Sequence, residues 1–452
     1  MNIRFFYLVL AAGLAASAGL AAAPNGLDEE LVLEEAIEIG LAHNERLLSA
    51  RELLAAADAE WSESRSSRRP TVGLSLSGSR STNPAQVFGQ LLGQEAFTES
   101  NFDPAFLNEP DPLTNVTSTV SARQVVWSGG RVGSDIAAAR ARRDSSAASA
   151  ERTRQNVIRD VTVAYADAVL ASARVGVARK ARETARGHVA LAEERHAAGL
   201  VVRSDVLQAQ VRQQEIEEEL IRAGNEAEVS RAVLNLVLGV EIDRSWSLPA
   251  DLTAVLDGRD AAPRATVDAL VDAARSGRPD LEASGRTVAA LASRIDHARS
   301  GRYPEVGLLA SYELNDDELL GADGSNWTVA LSARLDLYDG GRARTRVRGA
   351  ESRHRAARHG HERMRRSIEL EVRRASAELD SALSRVKIAG TATRLAEESL
   401  RIVRDRYGEG LSPLVDLLDA ETGLTRARTR RVMAQRDVLV ALSSLDLATG
   451  SL

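Results

Sequence analysis

The chain has 452 residues, with 58 basic and 64 acidic side chains and therefore a formal net charge of −6. This balance gives no electrostatic footprint for a nucleic-acid partner. Cysteine is absent, which fits a compartment where free thiols are a liability. Aromatic residues make up only 4 %, whereas Ala, Arg, Glu and Leu dominate, and this composition is typical of long helices rather than of a thick globular core.

The N-terminus has the pattern of a secretory signal peptide. Arg4 precedes an apolar, Ala-rich run over residues 5–23 that ends in three alanines. This pattern predicts export with a signal peptide at residues 1–23, and an earlier cleavage site stays open. A transmembrane anchor is the weaker alternative, because half of the run is Ala and Gly. No later run approaches the ~18–20 apolar residues of a spanning helix, so insertion into a membrane would require strands.

Segments with a period of two come next in each half of the chain. In the second half, residues 306–314 and 327–337 alternate between apolar and polar side chains, which indicates two strands. A weaker version occupies residues 72–76 and 116–127 of the first half. Between them, residues 82–115 are rich in Asn, Pro, Gln and Phe, and this composition predicts an exposed loop.

A very long helix follows each pair of strands. No proline occurs between Pro112 and Pro249, or between Pro304 and Pro413. A proline inside a helix costs ~3 kcal/mol, so both tracts favour uninterrupted helices. The first of them covers residues 130–198, which corresponds to roughly 100 Å.

Each long helix is predicted to turn and fold back on itself. Gly199 and Gly410 lie where a C-terminal glycine would end the helix. In the second half, Ser412 and Pro413 form an N-cap and N1 pair for the returning helix, and in the first half the start shifts to Ser204. The returning helices repeat small and apolar residues at steps of three and four, the spacing of a coiled coil. Each half therefore contains a long antiparallel hairpin.

The two halves repeat one another at a constant offset. Trp127-Ser128-Gly129-Gly130-Arg131 returns as Tyr338-Asp339-Gly340-Gly341-Arg342, and Gly239 returns as Gly450, always 211 residues later. We therefore predict a first repeat at 24–240, an inter-repeat linker or equatorial segment at 241–265, and a second repeat at 266–452. Each repeat contains a helix, two strands and a long helical hairpin. Upstream of Trp127 the first repeat is 23 residues longer, and the loop at 82–115 holds the excess.

The alternating segments have the length and pattern of tilted strands that span a membrane. A hairpin on a soluble core is the alternative, but helices of this length offer no such core. Four strands cannot close a barrel, and an open sheet edge cannot exist in lipid. The chain must therefore oligomerise to complete its sheet.

With these duplicated motifs in this order, the chain resembles the TolC-like outer-membrane factors over nearly all of its mature length. The motifs that carry the resemblance are the Trp127 pentapeptide with its copy, residues 199–207, and residues 410–420. The resemblance implies a mainly α fold with a membrane β-barrel part and two tandem repeats per chain. Four strands per chain would contribute to a trimeric 12-stranded β-barrel, continued by a long α-helical barrel.

The resemblance also implies a place and a role. The place is the outer membrane of a Gram-negative bacterium, with an extension into the periplasm. The partners are two further copies in a homotrimer, a periplasmic adaptor (membrane fusion) protein, and an inner-membrane pump of the RND or ABC type. The role is a passive exit duct for small molecules in a tripartite efflux pump. A type I protein secretion system is one alternative, and a periplasmic coiled-coil scaffold without a pore is another.

Three acidic residues near the hairpin tips are implied to form a periplasmic gate: Asp205, Asp416 and Asp419. Threefold symmetry would bring like carboxylates together, which costs energy unless they are hydrated, cation-bound or separated. Such a ring favours gating and cation selectivity. The alternative is that Asp205 and Asp416 only stabilise the first helical turn. Some relatives place an arginine where this chain has Ser412, so the closed tip is expected to be held differently, through Arg203.

Two further sets of residues follow from the resemblance. The adaptor-contacting tips would be Ala198, Gly199, Leu200, Glu409, Gly410 and Leu411, although turn formation alone also requires the glycines. The strand-to-helix turns would be Gly129, Gly130, Gly340 and Gly341.

A strongly basic stretch follows the last predicted strand. Residues 342–366 hold ten Arg and three His but only two Glu. Because Arg131, Arg140, Arg142 and Arg143 occupy the same place in the first half, we predict contact with anionic outer-membrane lipid, worth about 1 kcal/mol per basic residue. A solvated helical face is the alternative.

No motif indicates a catalytic residue, a cofactor or a metal site. His359 and His361 are two residues apart on a predicted helix, where side chains point away from each other. We therefore expect no enzymatic activity from this chain.

Overall fold

The computed structural model describes residues 30–257, 265–319, 321 and 323–452. The predicted signal peptide lies outside the described residues, as does part of the predicted linker. The first repeat contains α1 (Leu33–His43), α2 (Glu45–Ser66), β1 (Thr71–Ser81), α3 (Pro84–Gly93), a 3₁₀ turn (Glu99–Phe102), α4 (Pro104–Asn108), β2 (Leu113–Trp127), α5 (Arg131–Ala197) and α6 (Arg203–Leu238). The linker contains α7 (Thr253–Asp257), and the second repeat contains α8 (Val267–Gly277), α9 (Pro279–Ser300), β3 (Glu305–Asp316), β4 (Gly324–Arg334), α10 (Arg342–Gly408) and α11 (Leu414–Thr449).

The repeat seen in the sequence is also a repeat of structure. Helices α5 and α10 have 67 residues each, and α6 and α11 have 36 each. Their first residues are 211 positions apart in both cases. The described glycines with positive φ form four pairs at the same offset: Gly129 and Gly340, Gly130 and Gly341, Gly199 and Gly410, Gly239 and Gly450. Upstream of the strands the offset becomes 234, because α1 corresponds to α8 and α2 to α9.

The four strands form one antiparallel sheet in the order β1-β2-β3-β4. The register aligns Leu74 with Val120, Val120 with Tyr312, and Tyr312 with Trp327, so all four lie on one face. This apolar face also holds Val72, Ala122, Leu308, Ala310, Val329 and Leu331. The other face is polar, with rows such as Ser75, Thr119, Glu313 and Asn326. Side chains on the apolar face are exposed in the single chain, for example 76 % for Leu74 and 75 % for Trp327.

Below the sheet, the long helices form a single layer. Near the strands the packing order is α2-α5-α9-α10, and further away it is α6-α5-α11-α10. The main hydrophobic core lies on one face of this layer, where α1 and the segment 240–256 pack against the middle of α5. In this core Tyr165 donates a hydrogen bond of 2.9 Å to the Leu31 carbonyl oxygen.

Several predictions of detail were wrong. Residues 82–115 are not a plain loop, since they contain α3, whose Val87 and Leu91 are buried. The last strand ends at Arg334 instead of Leu337, because its partner β3 begins at Glu305 and offers no residue for pairing beyond it. The returning helices begin one residue from the predicted positions, at Arg203 and Leu414.

One window of α5 is apolar and long enough to cross a membrane by length and composition, so the prediction that no internal run approaches this limit was too strong. Half of that window is buried inside the chain. Burial of this kind is what a core helix shows.

Candidate functional site

The two hairpin tips, residues 198–202 and 409–413, are built by the same turn. The Gly199 N–H donates to the His196 carbonyl and the Leu200 N–H to the Arg195 carbonyl, both at 2.9 Å. Gly410 and Leu411 repeat these bonds in the second hairpin. This pattern is a Schellman motif, and it requires a left-handed residue, which Gly199 supplies at φ 71°. The predicted adaptor-contacting residues thus lie together at the free ends of the hairpins, where Leu200 and Leu411 are exposed.

The two tips of one chain are joined by an arginine that sequence reasoning missed. Arg195 Nη1 and Nη2 lie 3.1 and 3.3 Å from the carbonyl oxygens of Tyr407 and Gly408 at the end of α10. Its guanidinium also lies 4.4 Å from the centroid of the Tyr407 ring. A cation at a helix C-terminus and over an aromatic ring is stabilised by both. Arg203, the predicted holder of the tip, is exposed.

A hydrophobic cluster lies directly behind the tips and fixes their spacing. It joins both hairpins through Val206 of α6, Tyr407 of α10 and Leu414 and Leu417 of α11. All four side chains are buried. This cluster therefore connects the two hairpins of one chain directly behind the Arg195 link.

The predicted gate carboxylates lie near the starts of the returning helices, with Asp205 and Asp416 in the first turn and Asp419 in the second. Asp416 and Asp419 are exposed, and Asp205 is half-buried. Asp416 accepts a hydrogen bond of 2.7 Å from the Ser412 hydroxyl. Ser412 therefore does not cap the backbone of α11 as predicted, and Pro413 is the N-cap residue.

A second contact between the hairpins lies further up the layer. His188 Nε2 of α5 is 2.6 Å from Glu421 Oε1 of α11, and both side chains are largely shielded from solvent. Arg404 of α10 approaches the same carboxylate oxygen at 3.8 Å. No signal in the sequence links positions so far apart in the chain.

The predicted strand-to-helix turns hold their glycines in left-handed conformations. In the first repeat the Ser128 hydroxyl accepts from the Val132 N–H at 3.3 Å. In the second repeat Asp339 takes the place of Ser128 and accepts from the N–H groups of Ala343 and Gly341 at 2.6 and 2.9 Å. The bond from Ala343 and the weaker one from Gly341 hold the pKa of the Asp339 carboxyl below its usual range.

The basic stretch at 342–366 forms the first part of α10, next to the strands. The two glutamates of the stretch compensate little of its positive charge. Glu362 pairs with Arg365, whereas Glu351 pairs with Arg299 of α9, outside the stretch. Within the described residues, no group of three His, Asp or Glu side chains comes together as a metal site.

Comparison with known proteins gives one consistent result. The family profile described as outer membrane efflux protein matches residues 36–240 and 270–451. Protein CyaE of Bordetella pertussis is 26 % identical over 432 residues, which cover 94 % of this chain and 85 % of the relative. Outer membrane protein OprJ of Pseudomonas aeruginosa is 25 % identical over 423 residues, which cover 91 % and 83 %.

The fold is shared with solved structures. The outer membrane protein VceC of Vibrio cholerae superposes with a TM-score of 0.75 at 22 % identity, covering 92 % of this chain and 96 % of that one. The predicted fold class, mainly helical with a β-barrel part and two tandem repeats, is thereby confirmed.

Proposed function

Because the chain belongs to the outer membrane efflux protein family, we propose that three copies assemble into one exit duct that continues from the outer membrane through the periplasm. The chain is an outer-membrane channel protein whose predicted place and role are confirmed at this level. What we add is the assembly, the gate and the partners. The observation that carries the assembly is that, in the part of the chain that the structure describes, both edges of the sheet and both edges of the helix layer are open.

The sheet edges support closure by further copies. The outer edges of β1 and β4 have no strand partner among the described residues. Open strand edges cannot persist in lipid, whereas a closed barrel satisfies every backbone group. A head-to-tail arrangement in which β4 of one copy pairs with β1 of the next closes into a ring.

The helix edges support the same arrangement. Along α10, Ile388, Leu395 and Ile402 recur every seven residues and are 69, 67 and 45 % exposed. Along α6, at the opposite edge of the layer, Val211 and Ile221 are 60 and 68 % exposed. Heptad-spaced apolar residues on a helix face are typical of a coiled-coil seam. We infer that α10 packs against α6 of the next copy.

The two faces of the sheet then take different environments. The apolar face, with Leu74 and Trp327, would meet lipid, and the polar face, with Glu313 and Arg123, would line the pore. This alternation is typical of outer-membrane barrels. Strands of 11 to 15 residues are long enough for a tilted crossing.

At the periplasmic end, we propose that Asp205, Asp416 and Asp419 line the mouth as an acidic gate. Their position in the first two turns beside the tips supports this role, and the exposure of Asp416 and Asp419 allows both carboxylates to face a pore. Arg195 would hold the two tips of each chain together in the closed state.

The tips would contact a periplasmic adaptor, which joins the duct to an inner-membrane pump of the RND or ABC type. Residues 198–200 and 409–411 are the candidates, since Leu200 and Leu411 present exposed apolar side chains there. Efflux of small molecules is the function we favour. Protein export by a type I system is the alternative, and no residue in the tips separates the two.

The assembly is tested with the purified full-length protein. We expect a trimer by mass, and discrete conductance steps in planar bilayers. Leu395→Glu should reduce the trimer population, because it places a charge in the proposed seam, whereas Leu395→Met should not. A monomer in the soluble periplasmic fraction without conductance would exclude the duct. Loss of drug resistance in a deletion strain, against loss of a secreted protein, separates efflux from secretion.

A further inference from the structure

A small cleft between the end of α2 and the start of α5 has an unusual lining. We call it the α2/α5 cleft, and its volume is about 290 Å³. Its lining residues are Trp61, Arg65, Arg68, Arg69, Ile136 and Arg140. The side chains of four arginines thus line a small space to which no carboxylate contributes.

The positive charge of the α2/α5 cleft is not compensated. In the described part of the chain, none of its four arginines forms an ion pair with a carboxylate. Arg65 lies over the ring of Trp61, with 5.2 Å between the guanidinium carbon and the ring centroid. The indole Nε1 of Trp61 is buried and has no hydrogen-bond partner among the described residues. A buried donor without an acceptor, beside unpaired cations, is satisfied by a bound anion with acceptor oxygens.

The second repeat contains a copy of this position in which an ion pair lowers the net positive charge. By the repeat offsets, Arg65 corresponds to Arg299, and Arg140 corresponds to Glu351. Arg299 Nη2 lies 3.4 Å from Glu351 Oε1. Trp61 corresponds to Ile295, which has no donor to satisfy. The same backbone geometry thus holds an internal ion pair in one repeat and an unpaired basic cleft in the other.

The α2/α5 cleft lies on the outer side of the helix layer. This placement depends on the proposed assembly of three chains into a closed tunnel. Trp61 is two heptads after Leu47, and Arg140 is three heptads before Val161. Leu47 and Val161 both pack in the main core with α1 and the segment 240–256. In a coiled-coil register, residues seven apart share a face, so the cleft faces the same side as that core. Inside a closed tunnel the core segments would fill the lumen, so this side is the outside.

The height of the cleft matches the headgroup layer of the bilayer. Trp61 lies five residues before the end of α2, about 8 Å by helical rise. The apolar face of the sheet begins at Val72, just beyond the turn into β1. A headgroup layer extends roughly 5–8 Å beyond the hydrocarbon on each side. Trp and Arg are also the side chains enriched at this level.

We propose that the α2/α5 cleft binds a phosphate group, that of an anionic lipid in the periplasmic leaflet of the outer membrane. The guanidiniums of Arg65 and Arg140 would hold the phosphate oxygens, and the indole N–H of Trp61 would donate to one of them. The site is more specific than the general basicity of residues 342–366, because it has a defined shape, an unpaired donor and a less basic copy in the second repeat.

The second repeat supplies the variants for a test. Arg140→Glu and Trp61→Ile each introduce the side chain that the copy has at the equivalent position, so both are compatible with the backbone. Arg348→Glu is the matched control, since Arg348 is an exposed arginine of the basic stretch outside the cleft. Binding to the full-length protein in neutral detergent is titrated by native mass spectrometry with phosphatidylglycerol, phosphatidylcholine and inorganic phosphate.

We expect wild-type protein to bind phosphatidylglycerol about tenfold more tightly than phosphatidylcholine. Arg140→Glu should weaken phosphatidylglycerol binding about thirtyfold and Trp61→Ile about fivefold. Arg348→Glu should weaken it only about fivefold, the share of one basic residue in diffuse lipid contact. Equal losses of phosphatidylglycerol binding in Arg140→Glu and Arg348→Glu would refute the α2/α5 cleft as a binding site, because diffuse positive charge would then explain the binding. Saturation of the site by inorganic phosphate at the same concentrations would refute the proposal that the bound phosphate belongs to a lipid.

Conductance of each variant in planar bilayers keeps this proposal separate from the duct itself. Arg140→Glu should assemble and conduct as the wild type does. Absence of the wild-type protein from outer-membrane fractions would instead count against the membrane placement on which the site rests.

Discussion

Replacing Arg195 by alanine should loosen the closed tip of the duct. Arg195 is the side chain that crosses from the first hairpin to the end of α10 in the second, through two carbonyl contacts and the ring of Tyr407. Alanine removes all three interactions at once. The packed cluster behind the tip remains, so the chain should fold and assemble normally.

The magnitude follows from the three contacts. A cation at a helix C-terminus contributes about 0.3–1 kcal/mol, and a cation over a partly exposed ring about 0.5–1 kcal/mol. The hydrogen bonds, made against competition from water, add about 1 kcal/mol. Together these give about 2 kcal/mol per chain, which shifts the opening equilibrium of each tip by a factor of about 30.

Single-channel recording in planar bilayers measures this shift as a larger open fraction or a higher conductance. Arg195→Lys should lie between wild type and alanine, because lysine keeps the charge but not the planar fork. The repeat offers a matched control in Arg406, the equivalent residue, whose Nη2 donates to the Leu411 carbonyl of its own hairpin at 3.5 Å. Arg406→Ala should therefore leave the currents close to wild type. Unchanged currents in Arg195→Ala, or an equal effect of Arg406→Ala, would refute the link between the tips.

Three other outcomes are expected. Asp416→Ala combined with Asp419→Ala should raise conductance or weaken cation preference, and unchanged currents and selectivity would remove both residues from the gate. Gly199→Leu should cost about 1–2 kcal/mol at its left-handed backbone and abolish drug resistance while trimers persist, because the tip is then reshaped; retained resistance would argue against adaptor contact there. Tyr165 is buried, and burial raises its pKa to about 12, so its neutral form stabilises the fold below pH 10 and this contribution is lost as pH rises from about 10 to about 12. Tyr165→Phe should therefore flatten the fall in thermal midpoint over that range, and an unaltered profile would contradict this assignment.

Much of the fold could be predicted because it depends on local signals. Proline-free tracts, seven-residue spacing and glycines at turn positions predicted the hairpins to within a residue or two. Strand ends were less certain, since the end of β4 depends on where β3 begins rather than on its own alternation. The helices within residues 82–115 were missed although Asn83-Pro84 and Asp103-Pro104 are cap and first-turn pairs, and both Asn83 and Asp103 accept backbone hydrogen bonds there.

The contacts between hairpins could not be predicted in the same way. Arg195 and Tyr407 are 212 residues apart, and His188 and Glu421 are 233 apart. These pairs meet because the two hairpins have equal lengths, so that equivalent residues lie at the same level along the helix axes. The repeat in the sequence predicts that positions 195 and 406 lie at the same level, because they are equivalent. It does not predict which helices are neighbours. The packing order of the layer was needed to choose the partner.

The two offsets of the repeat have different physical origins. Between the strand-to-helix turns and the tips the offset never departs from 211, since each long helix has 67 residues and each returning helix 36. One added residue would displace a tip by about 1.5 Å along the axis and rotate its side chains by about 100°. That change would break the Arg195 link and the shared cluster behind the tips. The 23 extra residues of the first repeat lie instead between β1 and β2, where α3 and α4 fold beside the sheet and no tip position depends on them. The constant spacing is therefore a condition for six hairpins to end at one level.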